Sequence, residues 1–173
     1  MFRHTDNESN YIYKGGPWLM SKQQFREAMS KFATGITIVT SEFDDKIQAM
    51  TANAFMSVSL EPQLITISLD SKTNFYRNAE KIKRFGVSIL REEQQEISMI
   101  FAKQIDKEYT DFSTLDNLPV INNALTTLAC TVVNTVEAGD HLLLIAEVDD
   151  IIVDDGNPLI FYDSRYNRID AEN

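Results

Sequence analysis

The period of the hydrophobic positions changes several times along the chain. Ser21 with Gln24 three residues later forms a capping box, and Phe25, Ala28, Met29 and Phe32 follow at helical spacing, which predicts an amphipathic helix ending before Gly35. From Ile36 to Thr40 the residues are β-branched, a strand broken by the acidic turn Phe43-Asp44-Asp45, and a second strand around Ile47 to Ala54 pairs with it as a hairpin. Leu64 to Leu69 alternates strictly and Val87 to Leu90 is a short apolar run; between them the pattern predicts a helix from Thr73 to Lys83, and after them another from Glu92 to Lys103. Two longer alternating segments, Leu128 to Val136 and Leu142 to Val153, flank Ala138-Gly139-Asp140-His141 and read as a long hairpin, with Pro158 to Tyr162 and Tyr166 to Ile169 as the last strands. Antiparallel strands dominate and no regular βαβα alternation occurs, so the expected class is all-β with peripheral helices, a barrel or sandwich. Residues 1–20 are polar and carry Gly15, Gly16 and Pro17 before Trp18, an N-terminal extension ahead of a domain over 21–173.

Composition narrows the chemistry. A chain of 173 residues fits one domain, and its net charge of −10 repels a phosphate backbone, so nucleic acid is not an expected partner. No apolar stretch approaches the roughly 20 residues that cross a bilayer, and Met1 to Asn10 is polar, so no membrane partner is expected and the location read from the sequence is cytoplasmic. Cys130 is the only cysteine, which rules out an internal disulfide, and with His4 and His141 as the only histidines no zinc site is expected. The glycines at 15, 16, 35, 86, 139 and 156 cannot form a G-x-G-x-x-G fingerprint or a P-loop, so a bound nucleotide sits outside the Rossmann mode. No G-x-S-x-G elbow surrounds any serine, and Cys130 lies in the apolar strand pattern of an inert buried thiol.

Two stretches remain. Met50 to Pro62 is a run of small and hydroxylated residues where a strand ends, so its backbone can approach a flat heterocycle while Thr51, Asn53 and Ser57 add hydrogen bonds; the same pattern fits a strand end with a bulge. Ser71-Lys72-Thr73-Asn74 opens a predicted helix, where free amides, the helix dipole, two hydroxyls and the Lys72 ammonium converge as a phosphate requires; taken alone it fits an ordinary capped helix with a solvated lysine better. His141, at a hairpin corner, reads either as a solvated turn residue or as a ligand contact.

Phe25-Arg26-x-Ala28-Met29-x-Lys31-Phe32-Ala33-Thr34-Gly35-Ile36-Thr37-Ile38-Val39-Thr40, the Met50 to Pro62 run, Val87-Ser88-Ile89-Leu90 with Gln94, Phe101-Ala102, Gly139-Asp140-His141 and Pro158-Leu159-Ile160 together resemble the short-chain flavin reductases. These are the reductase components of two-component flavin-dependent monooxygenases, such as the phenol and 4-hydroxyphenylacetate hydroxylase systems. The resemblance implies an FMN-binding split β-barrel homodimer that reduces FMN or FAD with NADH or NADPH and supplies a partner monooxygenase. The alternative on the same fold is a flavin-binding or electron-carrier protein without turnover. By the same resemblance Met50, Thr51, Ala52, Asn53, Ala54, Phe55, Ser57 and Val58 line the flavin rings and ribityl chain. Ser71, Lys72, Thr73 and Asn74 take the phosphate, Ser88 and Ile89 pass beside the flavin, and His141, Arg165 and Tyr166 lie on the nicotinamide side. No catalytic acid or base and no metal ligand is implied, because hydride transfer is carried by the cofactors. The chain departs from the family at Ser88, usually asparagine, and at Ala146 and Ser164, commonly glycine.

Overall fold

The computed structural model describes residues 21–169; the expected extension over residues 1–20 lies outside them. The capping box forms in both directions, with Ser21 N donating to Gln24 Oε1 at 2.9 Å and Gln24 N to Ser21 Oγ at 3.1 Å, and it starts helix α1, Lys22–Ser30. Among the described residues the apolar face of α1 is left open: Phe25 and Met29, with Phe32 just after the helix, are 52%, 54% and 74% exposed.

In chain order there follow β1 (Thr34–Gly35), β2 (Thr37–Phe43), β3 (Lys46–Ala52), β4 (Phe55–Leu60), β5 (Gln63–Asp70), α2 (Asn74–Arg77) and β6 (Arg84–Ile89). Then come α3 (Gln95–Phe101), β7 (Phe112–Leu115), β8 (Leu118–Ile121), β9 (Thr126–Ala138), β10 (His141–Val153), β11 (Ile160–Tyr162) and β12 (Arg165–Asn167). Seven strands form one antiparallel sheet in the order β3-β2-β6-β9-β10-β5-β4, flanked by the β7–β8 hairpin and a small β1-β11-β12 sheet. Tight two-residue loops set the registers. Asp44 and Asp45 (φ 55 and 56), Asp116 and Asn117 (φ 46 and 63) and Asp163 and Ser164 (φ 52 and 59) take the positive φ that matches strand twist, and Gly139 (φ 64) opens the long β9–β10 hairpin.

The sheet's two outermost strands, β3 and β4, are joined by Asn53 and Ala54 alone. Three virtual bonds of about 3.8 Å hold Ala52 and Phe55 within about 11 Å of each other. The sheet therefore curls until its edges approach at that corner, although no ladder pairs β3 with β4. Alternation packs the interior: Ile65, Ile67 and Leu69 of β5 turn inward and meet Val39, Phe85, Val87, Cys130 and Leu144. A second cluster of Ile36, Ile38, Leu90 and Leu159 packs with Ile97 and Phe101 of α3.

Two expected helices change, one stretch takes a definite form and one hairpin is new. The helix over Thr73 to Lys83 is two pieces, α2 and a 3-10 turn at Ala79–Lys81, because Asn78 leaves helical geometry and its side chain bonds back to Asn74 O and Oδ1 at 3.0 and 3.2 Å. The helix over Glu92 to Lys103 begins with a 3-10 turn and is regular only over α3. Met50 to Pro62 is a strand end, a corner and the further strand β4, with a bulge between Ser57 and Ser59 that sets Val58 out of register. The β7–β8 hairpin escaped the pattern because each strand has only four residues and Pro119 interrupts one of them. No helix among the described residues is long and apolar enough to cross a membrane.

Candidate functional site

Three adjoining hollows run along the β3 edge. A groove of about 500 Å³ is lined by Gln48, Met50 and Thr51 of β3, by Asp70 and Lys72 to Phe75, by Arg77, and by Phe101 to Lys103 at the end of α3. It shares Thr51 and Ala102 with a cleft of about 160 Å³ that also takes in Ile36, Asn53, Ser98, Gln104, Phe161 and Tyr166. Asn53 in turn borders a pocket of about 310 Å³ lined by Phe32 to Gly35, Thr37, Phe55 and Ile89. A larger hollow of about 850 Å³ between the 3-10 turn and β9 contains none of the sequence-predicted residues, and its open, mixed lining of Glu80, Lys83, Asn134 and Glu137 carries no convergent chemistry.

The groove end does not use the amides expected of it. Ser71 N donates to Asp140 O at 3.0 Å, Lys72 N to Asp70 Oδ1 at 2.9 Å and Thr73 N to Asp70 O at 2.9 Å; Thr73 Oγ1 caps α2 by accepting from Tyr76 N at 3.1 Å. With those three donors committed and α2 only four residues long, the helix dipole makes no anion site here, and of the expected amides only that of Asn74 has no acceptor among the described residues. Cations remain. Lys72, Arg77 and Lys103 face one groove with a single carboxylate, Asp70, a local reversal of sign in a chain of net charge −10. Arg77 and Lys103 were missed because local pattern gave no reason to join them. Lys103 is placed by a helix-end closure in which Lys103 N donates to Ile100 O and Gln104 N to Met99 O, both at 2.9 Å, with Lys103 at φ 57 where glycine is usual.

At the corner, Asn53 and Ala54 are exposed, and their N–H groups find no backbone acceptor among the described residues; Ala54 O accepts from Ser68 N at 3.0 Å. Ala52 is buried and its carbonyl accepts from Thr37 Oγ1 at 2.7 Å. Thr51 Oγ1 donates to Ser98 O at 2.7 Å, so it offers a ligand only its lone pairs. On the adjacent pocket wall Thr34 Oγ1 is buried without any partner among the described residues.

The other predicted residues separate. Ile89 lines the pocket, whereas Ser88 is wholly buried and its Oγ accepts from Ile121 N at 2.9 Å, so that hydroxyl belongs to the core. Ser57 and Val58 lie on the exposed face of β4, away from all three hollows. Of the three residues expected together on the donor side, only Tyr166 lines the cleft. Arg165 is exposed, and His141 sits opposite Asp70 in the β10–β5 register, with Nδ1 2.8 Å from Asp140 Oδ1. The His141 hydrogen bond holds the exposed Asp140 carboxyl below its ordinary range. Cys130 is wholly buried, and desolvation pushes its thiol up to about 12, so it is no nucleophile.

The family model described as "Flavin reductase like domain" matches residues 29–170. An NADH-dependent flavin reductase from Rhodococcus sp is 37% identical over 149 residues, covering 84% of this chain and 85% of the relative. The reductase component of 4-hydroxyphenylacetate 3-monooxygenase from Thermus thermophilus is 32% identical, over 86% of this chain and 97% of that protein. Among solved structures, the flavin reductase PheA2 in its native state superposes with a TM-score of 0.85 at 43% identity, over 87% of this chain and 99% of that one.

Proposed function

Since this chain belongs to the flavin reductase like family, we propose that it is an NADH:flavin oxidoreductase whose flavin lies along the trough from Lys72 to Ile89. The observation that carries the placement is the row of polar groups without partners among the described residues, namely the Asn53 and Ala54 N–H groups and the buried Thr34 hydroxyl, continuous with a groove of three cations. A bound flavin supplies the hydride acceptor, and the chain's residues bind and orient. Met50, Thr51 and Phe55 offer flat apolar and hydroxyl contacts to the rings, and the free N–H groups at Asn53 and Ala54 are donors for negative charge on the ring edge. Lys72, Arg77 and Lys103 hold the phosphate as side-chain cations, each able to form a charge-assisted hydrogen bond. Tyr166, on the opposite wall of the cleft, borders the donor side.

The curled sheet supports a split barrel completed by a second copy of the chain. The apolar face of α1, with Phe25, Met29 and Phe32, and the edge strand β4, with Met56, Val58 and Leu60 at 58%, 46% and 83% exposure, supply the apolar surface such a homodimer needs. His141 and Arg165 lie outside the trough of their own chain and reach a donor only across that interface. Reduced flavin then passes to a flavin-dependent monooxygenase, a role in keeping with the Thermus relative, which is named the reductase component of a monooxygenase. Steady-state NADH oxidation by the purified protein with added FMN or FAD tests the activity. Turnover that depends on added flavin supports it, and bound flavin without NADH oxidation favours a carrier. Sedimentation at micromolar concentration tests the dimer, which a monomer of full activity excludes.

A further inference from the structure

The only wholly buried residue of α3 is a serine, where a helix docking on a sheet ordinarily turns an apolar side chain inward. A buried hydroxyl is costly unless hydrogen-bonded, and Ser98 is bonded at both its ends. Its carbonyl accepts from Thr51 Oγ1 of β3 at 2.7 Å, and its Oγ lies 3.1 Å from Tyr166 Oη of β12. Tyr166 Oη also lies 3.5 Å from Gln104 Oε1, and either hydroxyl of the Ser98–Tyr166 pair can donate to the other. Ser98 thus ties one wall of the cleft to the other. Tyr166 is further held edge-on to Phe161, with ring centroids 5.6 Å apart. The cleft between these walls, about 160 Å³, is well under the roughly 300 Å³ at which pockets for whole drug-sized ligands begin, so it admits a single ring.

We propose that Ser98 is a positioning residue for the hydride donor: by fixing Tyr166 relative to Thr51 it sets the width of the cleft that receives the nicotinamide ring. The inference rests on the reductase reading above. It assigns Ser98 no contact with flavin or donor and no proton to transfer. Its hydroxyl can be removed without touching the backbone link to Thr51, so Ser98→Ala isolates the arm that reaches Tyr166.

The test is NADH kinetics and flavin affinity of the full-length protein as wild type, Ser98→Ala, Tyr166→Phe and the double variant, each with its thermal midpoint. Loss of one neutral hydrogen bond predicts that each single variant raises KM for NADH roughly 3- to 10-fold, with flavin Kd within about twofold of wild type. If Ser98 acts only through Tyr166, the double variant is no worse than either single one. Unchanged KM in both single variants overturns the inference, as do effects that multiply in the double variant or a loss of flavin affinity that tracks a falling thermal midpoint. Should Ser98→Ala not fold, Tyr166→Phe with wild-type KM is enough to overturn it. A wild type that does not oxidise NADH with added flavin removes the reductase reading and this inference together, whereas an active wild type with unaltered variants removes only the inference.

Discussion

The middle of the sheet and its β3–β4 corner are built from the same residue types and treat them in opposite ways. In β2 and β6 each buried hydroxyl has a partner inside the protein. Thr40 Oγ1 donates to the Gly86 and Pro119 carbonyls, Ser41 Oγ to Arg84 O at 3.0 Å, and Ser88 Oγ receives Ile121 N at 2.9 Å. At the corner the Asn53 and Ala54 N–H groups and Thr34 Oγ1 have no partner among the described residues, and three cations gather on one groove. Small hydroxylated residues therefore do not mark a ligand site by themselves. What marks it is a buried polar group left without a partner, as at Thr34 Oγ1, since a protein that buries such groups pairs nearly all of them, together with exposed donors and cations beside it.

The strongest way to break this contrast is at the centre. A Cβ on Gly86 would clash with the Pro119 carbonyl and stand 2.7 Å from Thr40 Oγ1, both fixed by the packed sheet. Gly86→Ala is expected to lose about 3 kcal/mol or more of stability, read from the urea midpoint. A variant as stable as wild type means the centre is not tightly packed.

At the groove the expected effect falls on affinity and not on stability. Lys72→Ala and Arg77→Ala should each weaken flavin binding by about 1–2 kcal/mol with an unchanged thermal midpoint, followed by fluorescence titration. A drop in stability with unaltered affinity would make these side chains structural.

Cys130 supplies a pH test of the interior. Burial raises its folded-state pKa to about 12, above its unfolded value, so between about pH 9 and 12 the unfolded chain gives up a proton that the folded chain retains. Stability is intact below that window and falls within it by up to about 1.4 kcal/mol per pH unit. Cys130→Ala should flatten this slope in alkaline denaturation curves, and the folded wild type should resist thiol reagents at neutral pH. An equal slope in both proteins contradicts the assignment.

The smallest effects belong to backbone strain. Ser164 (φ 59) and Lys103 (φ 57) hold a conformation that glycine adopts without penalty. Ser164→Gly should gain up to about 1 kcal/mol with unchanged flavin binding, whereas Lys103→Gly should gain a similar amount and bind flavin more weakly, because its cation leaves the groove. Equal flavin affinities for Lys103→Gly and wild type would take Lys103 out of the site.

What could be read in the sequence follows from how locally each feature is encoded. The capping box, the Asp44-Asp45 turn and the Gly139 hairpin are set by neighbouring residues, and they stand where the pattern put them. The break at Asn78 was hidden because one asparagine in a polar helical stretch carries no obvious stop signal. Ser88 looked like a ligand contact until its partner Ile121, 33 residues away, filled that role. The Ser71 amide is hidden for the same reason, because Asp140 belongs to a hairpin far along the chain, whereas the Lys72 and Thr73 amides go to the neighbouring Asp70. Lys103 comes into the groove through the packing of α3 against β3, and Arg77 through that of α2 against β5. Resemblance to a family supplied the activity, and spatial pairing sorted the candidate residues into those committed to the fold and those left free.

The most direct test of the central claim is an anaerobic titration of the flavin-loaded protein with NADH, followed by the loss of the oxidised flavin absorbance. The account predicts stoichiometric bleaching in wild type, with Lys72→Ala needing more flavin to reach the same loaded state and then bleaching equally. Flavin that binds in the trough but keeps its oxidised spectrum under excess NADH would contradict it.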